Sequence, residues 1–373
     1  MIRLAAITLL LAHGLLPAQP TWSLSASPVL DIGDERNTQT QFDGVTGILR
    51  MPGGEIVVAN GMSQELRVFS RTGAWLRTVA RAGSQPGDLR ALNRVWRAGD
   101  TIVVAELLPM ESNLHRYSTT GFLSRERVGA SNAGGIQPLD RFPDGRFVIT
   151  ATPRPGRQRP AGRVFLDSQP LGLLSTNDLA RPLWIGSLVS ERMMAVVSGP
   201  GRNRRLGSTQ VPFGRSTQYA VSGDRLWVGD SETGVVTQFS SAGREIGRFV
   251  VPIAARQVDS TAIRRQRQAG VTDAMNWDDR MRMDAFYSVP LPRQAPRFSR
   301  FLPGPAGEMW IEMYQEEPGA TRSYLVVGRS GETLGRVTMP AGAVPHEAGL
   351  DYVLAVRRDS EGIEHVVQYS LKR

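Results

Sequence analysis

Asn60, Glu106 and Asp230 hold the same place in a recurring sequence unit, and Glu312 stands one residue from it. Side-chain oxygens carried on separate units and aimed at one point suit a hard cation such as calcium, which takes about six to eight oxygens in a flexible geometry. These four are the candidate ligand-binding residues, and calcium is the one cofactor they leave open. Other chemistries have less material. Without cysteine there is no thiolate ligand, disulfide or thiol nucleophile. A histidine metal site needs several imidazoles to converge. His13 falls in the N-terminal leader, His115 and His365 fall on outer strands of different units, and His346 alone sits on an inner strand, where it reads as a structural hydrogen-bonder. Gly214-Arg215-Ser216 and Gly328-Arg329-Ser330 lack the second glycine of a nucleophile elbow. Lys372 is the sole lysine, which excludes a phosphate-binding Walker loop. No catalytic residue is assigned.

The elements that must position these side chains recur. A glycine-centred turn, an apolar strand, a polar loop, a second strand and another glycine turn run from Pro52-Gly53-Gly54-Glu55 through Ile56 to Asn60, Leu66 to Phe69 and Ser70 to Gly73. The first apolar residue of the recurrent strand is Ile56, Ile102, Phe147, Leu226, Met309 and Tyr352, at intervals of 46, 45, 79, 83 and 43 residues. Three intervals agree on a period near 45, and the two long ones are too short to hold another unit. Four-stranded units of about 40 to 50 residues are the signature of propeller blades, because one unit cannot bury both its faces until a neighbour stacks on it. The closing turns Ser70 to Gly73, Ser118 to Gly121, Ser240 to Gly243 and Arg329 to Gly331 place glycine where a tight hairpin needs positive φ. The expected fold is all-β, a six-bladed β-propeller with a small helical insertion before the fifth blade.

The last unit supplies three strands, around His346, Tyr352 to Val356 and Val366 to Tyr369, so Trp22 to Ile32 is expected to add the fourth and clasp the ends. The insertion at 153–215 reads as a long Pro-, Gly- and Arg-rich excursion from the third blade, with Met193 to Val197 as a strand. The insertion at 257–286 changes to helical periodicity, with Asp259 and Ser260 capping one helix and Thr272 and Asp273 a second. Ala274, Trp277, Met281 and Ala285 share one face of that second helix, which reads as a decoration packed on the rim.

Gly47 to Asn60, followed by Leu66 to Phe69 and the loop Gly83 to Leu89, resembles the NHL-type repeat of six-bladed β-propellers. Gly349 to Asp359, with Gly362 to Tyr369, is similar to the last blade of secreted bacterial propellers of this kind. The resemblance covers most of the mature chain. It implies a binding or interaction scaffold, or alternatively a metal-dependent hydrolase or lyase of the lactonase kind, with its site at the axial funnel on one face.

Residues 1–19 read as a secretory signal. Arg3 provides the positive start, Leu4 to Leu16 the apolar run and Ala18 a small residue for cleavage. The run is too short to span a bilayer, which takes about 20 residues. The expected product is residues 20–373, a monomer in the periplasm or secreted, without a membrane span. Of the 44 basic residues all but Lys372 are arginine, and the net charge is +9. Arginine used so uniformly reads as genomic bias, with the side chains dispersed around the blades and no nucleic-acid partner. Arg154, Arg157, Arg159, Arg202, Arg204 and Arg205 are the set that a polyanion binder would gather on one face. The expected partner is an unassigned protein or small-molecule ligand.

Overall fold

The computed structural model describes residues 21–108, 111–131, 134–151, 160, 162–198, 205–270, 291–315 and 321–373. The leader, the second insertion helix with Trp277 and Met281, and the side chains of the six arginines named above lie outside the described residues.

Among the described residues there are six antiparallel sheets and one helix. All six repeat marks open, or stand second in, the second strand of a sheet: Ile56–Asn60, Thr101–Leu108, Phe147–Ala151, Arg225–Asp230, Met309–Met313 and Tyr352–Arg358. Ile56–Asn60 and Phe147–Ala151 are buried throughout, which is why these strands read as continuous apolar runs rather than alternating ones. Neighbouring sheets are glued by separate cores. Val57, Ala59 and Leu66 of the first sheet meet Ile102, Val104 and Tyr117 of the second. Ile48, Ile56 and Val58 meet Leu354, Val356 and Val366 of the sixth. Each large side chain so covered contributes about 1.5–3 kcal/mol.

The recurrent apolar strand is not the innermost. That place belongs to the strand before it: Val45–Arg50, Leu92–Ala98, Gly134–Arg141, Thr217–Ser222, Phe298–Pro303 and Ala343–Ala348. These first strands touch one another in chain order, and the sixth touches the first, a propeller-like arrangement. They face a polar cavity on one side, so their apolar signal is weaker than that of the doubly covered strands behind them.

Strand ends follow the turn chemistry. Gly73, Gly243 and Gly331 adopt φ of 88°, 80° and 91° in the closing turns, whereas Gly121 does not need positive φ and simply opens its strand. The sixth sheet is completed by the chain start. Ser23–Leu24 pairs with Lys372 and Leu371, and Leu30–Ile32 pairs with Gln368 to Val366. Asp31 fixes this strand through His365 Nδ1 at 2.7 Å and Arg357 at 2.7 Å, while Trp22 packs edge-on against Trp310 at 5.9 Å.

The excursion of the third sheet is mostly strand rather than loop. Val164–Ser175 and Asp178–Ser198 form one long hairpin. Its near end, Leu171 to Leu174, pairs with Phe147 to Thr150, and Arg205–Gln210 adds to its far end. The first insertion helix, Ser260–Gly270, starts as expected, with Asp259 Oδ1 accepting the Ala262 N–H at 2.6 Å. No described helix is long and apolar enough to cross a membrane.

Candidate functional site: an arginine-lined axial cavity

The first strands surround a cavity of about 1130 Å³. Six arginines line it, Arg50, Arg71, Arg94, Arg97, Arg141 and Arg300, against four acidic residues, Asp140, Glu191, Glu347 and Asp351. The sequence expectation of dispersed arginines is therefore corrected: a share of them is collected at the axis. Their placement is regular. Arg50 and Arg141 end the first strands of the first and third sheets and Arg97 stands next to the end of the second, opposite Ile56, Phe147 and Ile102. Arg94 and Arg300 lie deeper, opposite Ala105 and Glu312, each just after a β-bulge that re-aims the strand.

Two of the acidic groups are already engaged. Asp140 accepts Trp96 Nε1 at 3.0 Å, its neighbour's Arg141 N–H at 2.8 Å and the Val221 N–H of the fourth sheet at 2.7 Å. Burial pushes its carboxyl up, against those hydrogen bonds and the Arg94 charge. Glu347 accepts the Arg50 N–H of the first sheet at 3.0 Å and the Tyr352 hydroxyl, with Arg97 at 3.6 Å. Its pKa is likewise raised by burial. Both carboxylates tie one sheet to the next, and protonation of either costs less than it would in water.

The arginines are less fully used. Arg94 donates to the Tyr219 hydroxyl at 2.9 Å, and Arg97 donates to the Arg50 carbonyl. The Arg50 guanidinium lies over the Tyr352 ring at 4.5 Å and the Arg141 guanidinium at 6.0 Å from the Phe147 ring. Among the described residues, the guanidinium groups of Arg50, Arg141 and Arg300 donate no hydrogen bond and meet no carboxylate, and Arg141 Nε is buried without a partner. A half-buried guanidinium with unmet donors costs free energy that an anion in the cavity would recover.

His346 was expected to be a structural hydrogen-bonder. Its ring nitrogens instead meet no hydrogen-bonding partner among the described residues and face the cavity. Burial, and then the Arg300 charge, hold its pKa down to about 3, so it stands neutral with one donor and one acceptor.

The four residues singled out from sequence do not line this cavity. They sit at or near the opposite ends of the second strands, each with local partners. Asn60 Oδ1 accepts the Asp43 N–H at 2.9 Å. Glu106, fully buried, binds Arg90 at 3.2 Å and Asn113 at 2.8 Å; burial works against ionisation, but these partners hold its pKa down to about 2. Asp230 pairs with Arg215 at 3.2 Å and the Thr233 hydroxyl at 2.9 Å. Glu312 takes the Tyr324 hydroxyl at 2.9 Å and Arg322. Among the described residues, no three His, Asp or Glu side chains gather as a metal site requires.

A sequence signal for the cavity existed. Arg50-Met51-Pro52-Gly53-Gly54 and Arg141-Phe142-Pro143-Asp144-Gly145 share one pattern, and Arg50, Arg97 and Arg141 follow the 45-residue period closely. The stronger apolar signal of the following strand, buried throughout in two of the sheets, masks this pattern.

No protein-family model and no curated protein matches the chain. Solved structures do. A member of the duf4221 family from Bacteroides vulgatus aligns with a TM-score of 0.55 at 10% identity, over 95% of this chain and 100% of that one. A protein of Bacteroides fragilis whose name presents it as exported aligns with a TM-score of 0.50 at 9% identity, over 96% and 97%. Virginiamycin B lyase from Staphylococcus aureus gives a TM-score of 0.44 at 8% identity, over 94% and 99%. At these identities the likeness concerns the fold, which is all-β and propeller-like.

Proposed function

We propose that this chain is a six-bladed, extracytoplasmic β-propeller, residues 20–373 after loss of a signal at 1–19, and that it acts as a binding scaffold for a small anionic ligand held in the axial cavity. The observation that carries this reading is the set of guanidinium groups from three sheets, Arg50, Arg141 and Arg300, that face the cavity without a carboxylate partner among the described residues. Arginine presents a fixed fork of donors matched to carboxylate, sulfate or phosphate. The engagement of Asp140 and Glu347 between sheets supports binding over acid–base chemistry, since both are spent on holding backbone N–H groups. Export is supported by the leader and by the structural likeness to a protein presented as exported.

Calorimetric titration of the mature protein with acetate, sulfate, phosphate and glucuronate tests the reading. At least one binds, and Arg50→Gln with Arg141→Gln weakens it by about tenfold or more. Absence of binding to all four, or binding indifferent to both substitutions, overturns it.

A further inference from the structure

We infer that the ligand is an elongated dianion, with an anionic group at each end and a less polar middle, lying along the cavity axis between two tiers of arginine. This rests on the anion-binding reading above. The outer tier is Arg50, Arg97 and Arg141, at equivalent register on three consecutive sheets. The inner tier is Arg94 and Arg300, each paired with the third residue after the repeat mark of its sheet, Ile102 or Met309. These two stand on the second and fifth sheets, which lie opposite one another because the first strands touch in chain order around the axis.

Three residues of strand separate the tiers, about 10 Å at 3.3 Å per residue. The partners keep the tiers apart: Arg97 donates to the Arg50 carbonyl within the outer tier, and Arg94 donates to the Tyr219 hydroxyl of the fourth sheet, so a single carboxylate does not serve both. The belt between the tiers is built largely from Leu49, Trp96, Ala220, Leu302 and Ala348, all on the cavity wall. The acidic residues of that belt, Asp140 and Glu347, are turned to backbone N–H groups of neighbouring sheets, and burial favours their neutral form. An apolar stretch therefore passes the belt more easily than a charge or a row of hydroxyls. Neutral His346, beside Arg300, offers the inner end a donor without adding to the positive charge.

A ruler of linear carboxylates reads the span directly. The mature protein is titrated calorimetrically with malonate, adipate and nonanedioate, and with nonanoate as the monoanion of matched chain. Nonanedioate is expected to bind at least about tenfold tighter than nonanoate and than malonate, and Arg300→Gln to erase that advantage. Equal affinity, within about twofold, of nonanoate and nonanedioate overturns the span but leaves the anion site standing. Tightest binding by malonate does the same. Failure of every carboxylate, sulfate and phosphate overturns both readings. Should Arg300→Gln fold poorly, as its melting curve will show, the series on the unaltered protein still decides.

Discussion

The two ends of the sheets use charge in opposite ways. At the far ends of the second strands, Glu106 and Glu312 are buried at 0% and 2% exposure and wrapped by Arg90 and Asn113 or by Arg322 and Tyr324. Around the axis, Arg50, Arg141 and Arg300 face open space with donors unspent. A buried charge with all its partners at hand is a structural element, because ligand could reach it only by breaking what holds it. A guanidinium left unpaired on a cavity wall is a cost that folding alone does not recover. Incomplete satisfaction, more than polarity, separates the proposed binding surface from scaffold in this molecule.

The strongest test removes what both regions share. Deleting residues 21–32 strips the edge of the sixth sheet, with Trp22, Ile32 and the Asp31 pairing to His365 and Arg357. The expected result is loss of a cooperative melt, read by circular dichroism, and loss of anion binding with it. A sharp, unshifted melt would show that closure does not hold the ring.

Single changes then separate the regions. Glu106→Ala takes one of two acceptors from buried Asn113 and the Nε2 partner from buried His115, and denaturant titration should record a loss of about 3 kcal/mol with anion affinity unchanged once the protein is folded. Arg141→Gln should do the reverse, moving stability by no more than about 0.5 kcal/mol while weakening the anion. If Arg141→Gln costs as much stability as Glu106→Ala, the division between the two ends fails. Tyr324→Phe removes one hydrogen bond to Glu312 and should cost about 1 kcal/mol, again without touching binding.

Acid titration gives the smallest and finest contrast. Glu106 has a folded pKa below its unfolded value, so its stabilisation is full above about pH 4.5 and is lost as pH falls toward 2. His346 also has a depressed pKa, and for a base this means the unfolded chain takes the proton first, so stability falls from about pH 6.5 downward toward 3. Melting temperatures across pH 7 to 3 should flatten in the upper part of that range for His346→Gln and in the lower part for Glu106→Gln. Flattening in the same window for both would mean that the two sites are not electrically separate.

Much of the fold was legible because it depends on local chemistry repeated along the chain. Doubly covered strands such as Ile56–Asn60 and Phe147–Ala151 announce themselves as apolar runs, and Gly73, Gly243 and Gly331 sit where the hairpins close. The capping of Ser260–Gly270 by Asp259 was equally plain, since a cap is an interaction between near neighbours. The Pro- and Gly-rich excursion misled, because the long hairpin of Val164–Ser175 with Asp178–Ser198 is held by pairing to Phe147–Ala151 as well as by its own composition.

The site is a different matter. The sequence by itself determined the period, the strands, the turns and the clasp of Trp22 to Ile32 on the last sheet, because each is set by side-chain alternation, turn residues or an unpaired edge. It also carried the polar residues that end the second strands. Only the tertiary structure decided that Glu106, Asp230 and Glu312 are paired with Arg90, Arg215 and Arg322, and that the guanidinium groups of Arg50, Arg141 and Arg300 meet no carboxylate among the described residues. Whether a charged side chain is spent or free depends on which strand lies innermost and on neighbours from other sheets, such as Val221 for Asp140 and Arg50 for Glu347. Those neighbours come together only when the ring of sheets is assembled, since they stand about 80 and 300 residues apart along the chain.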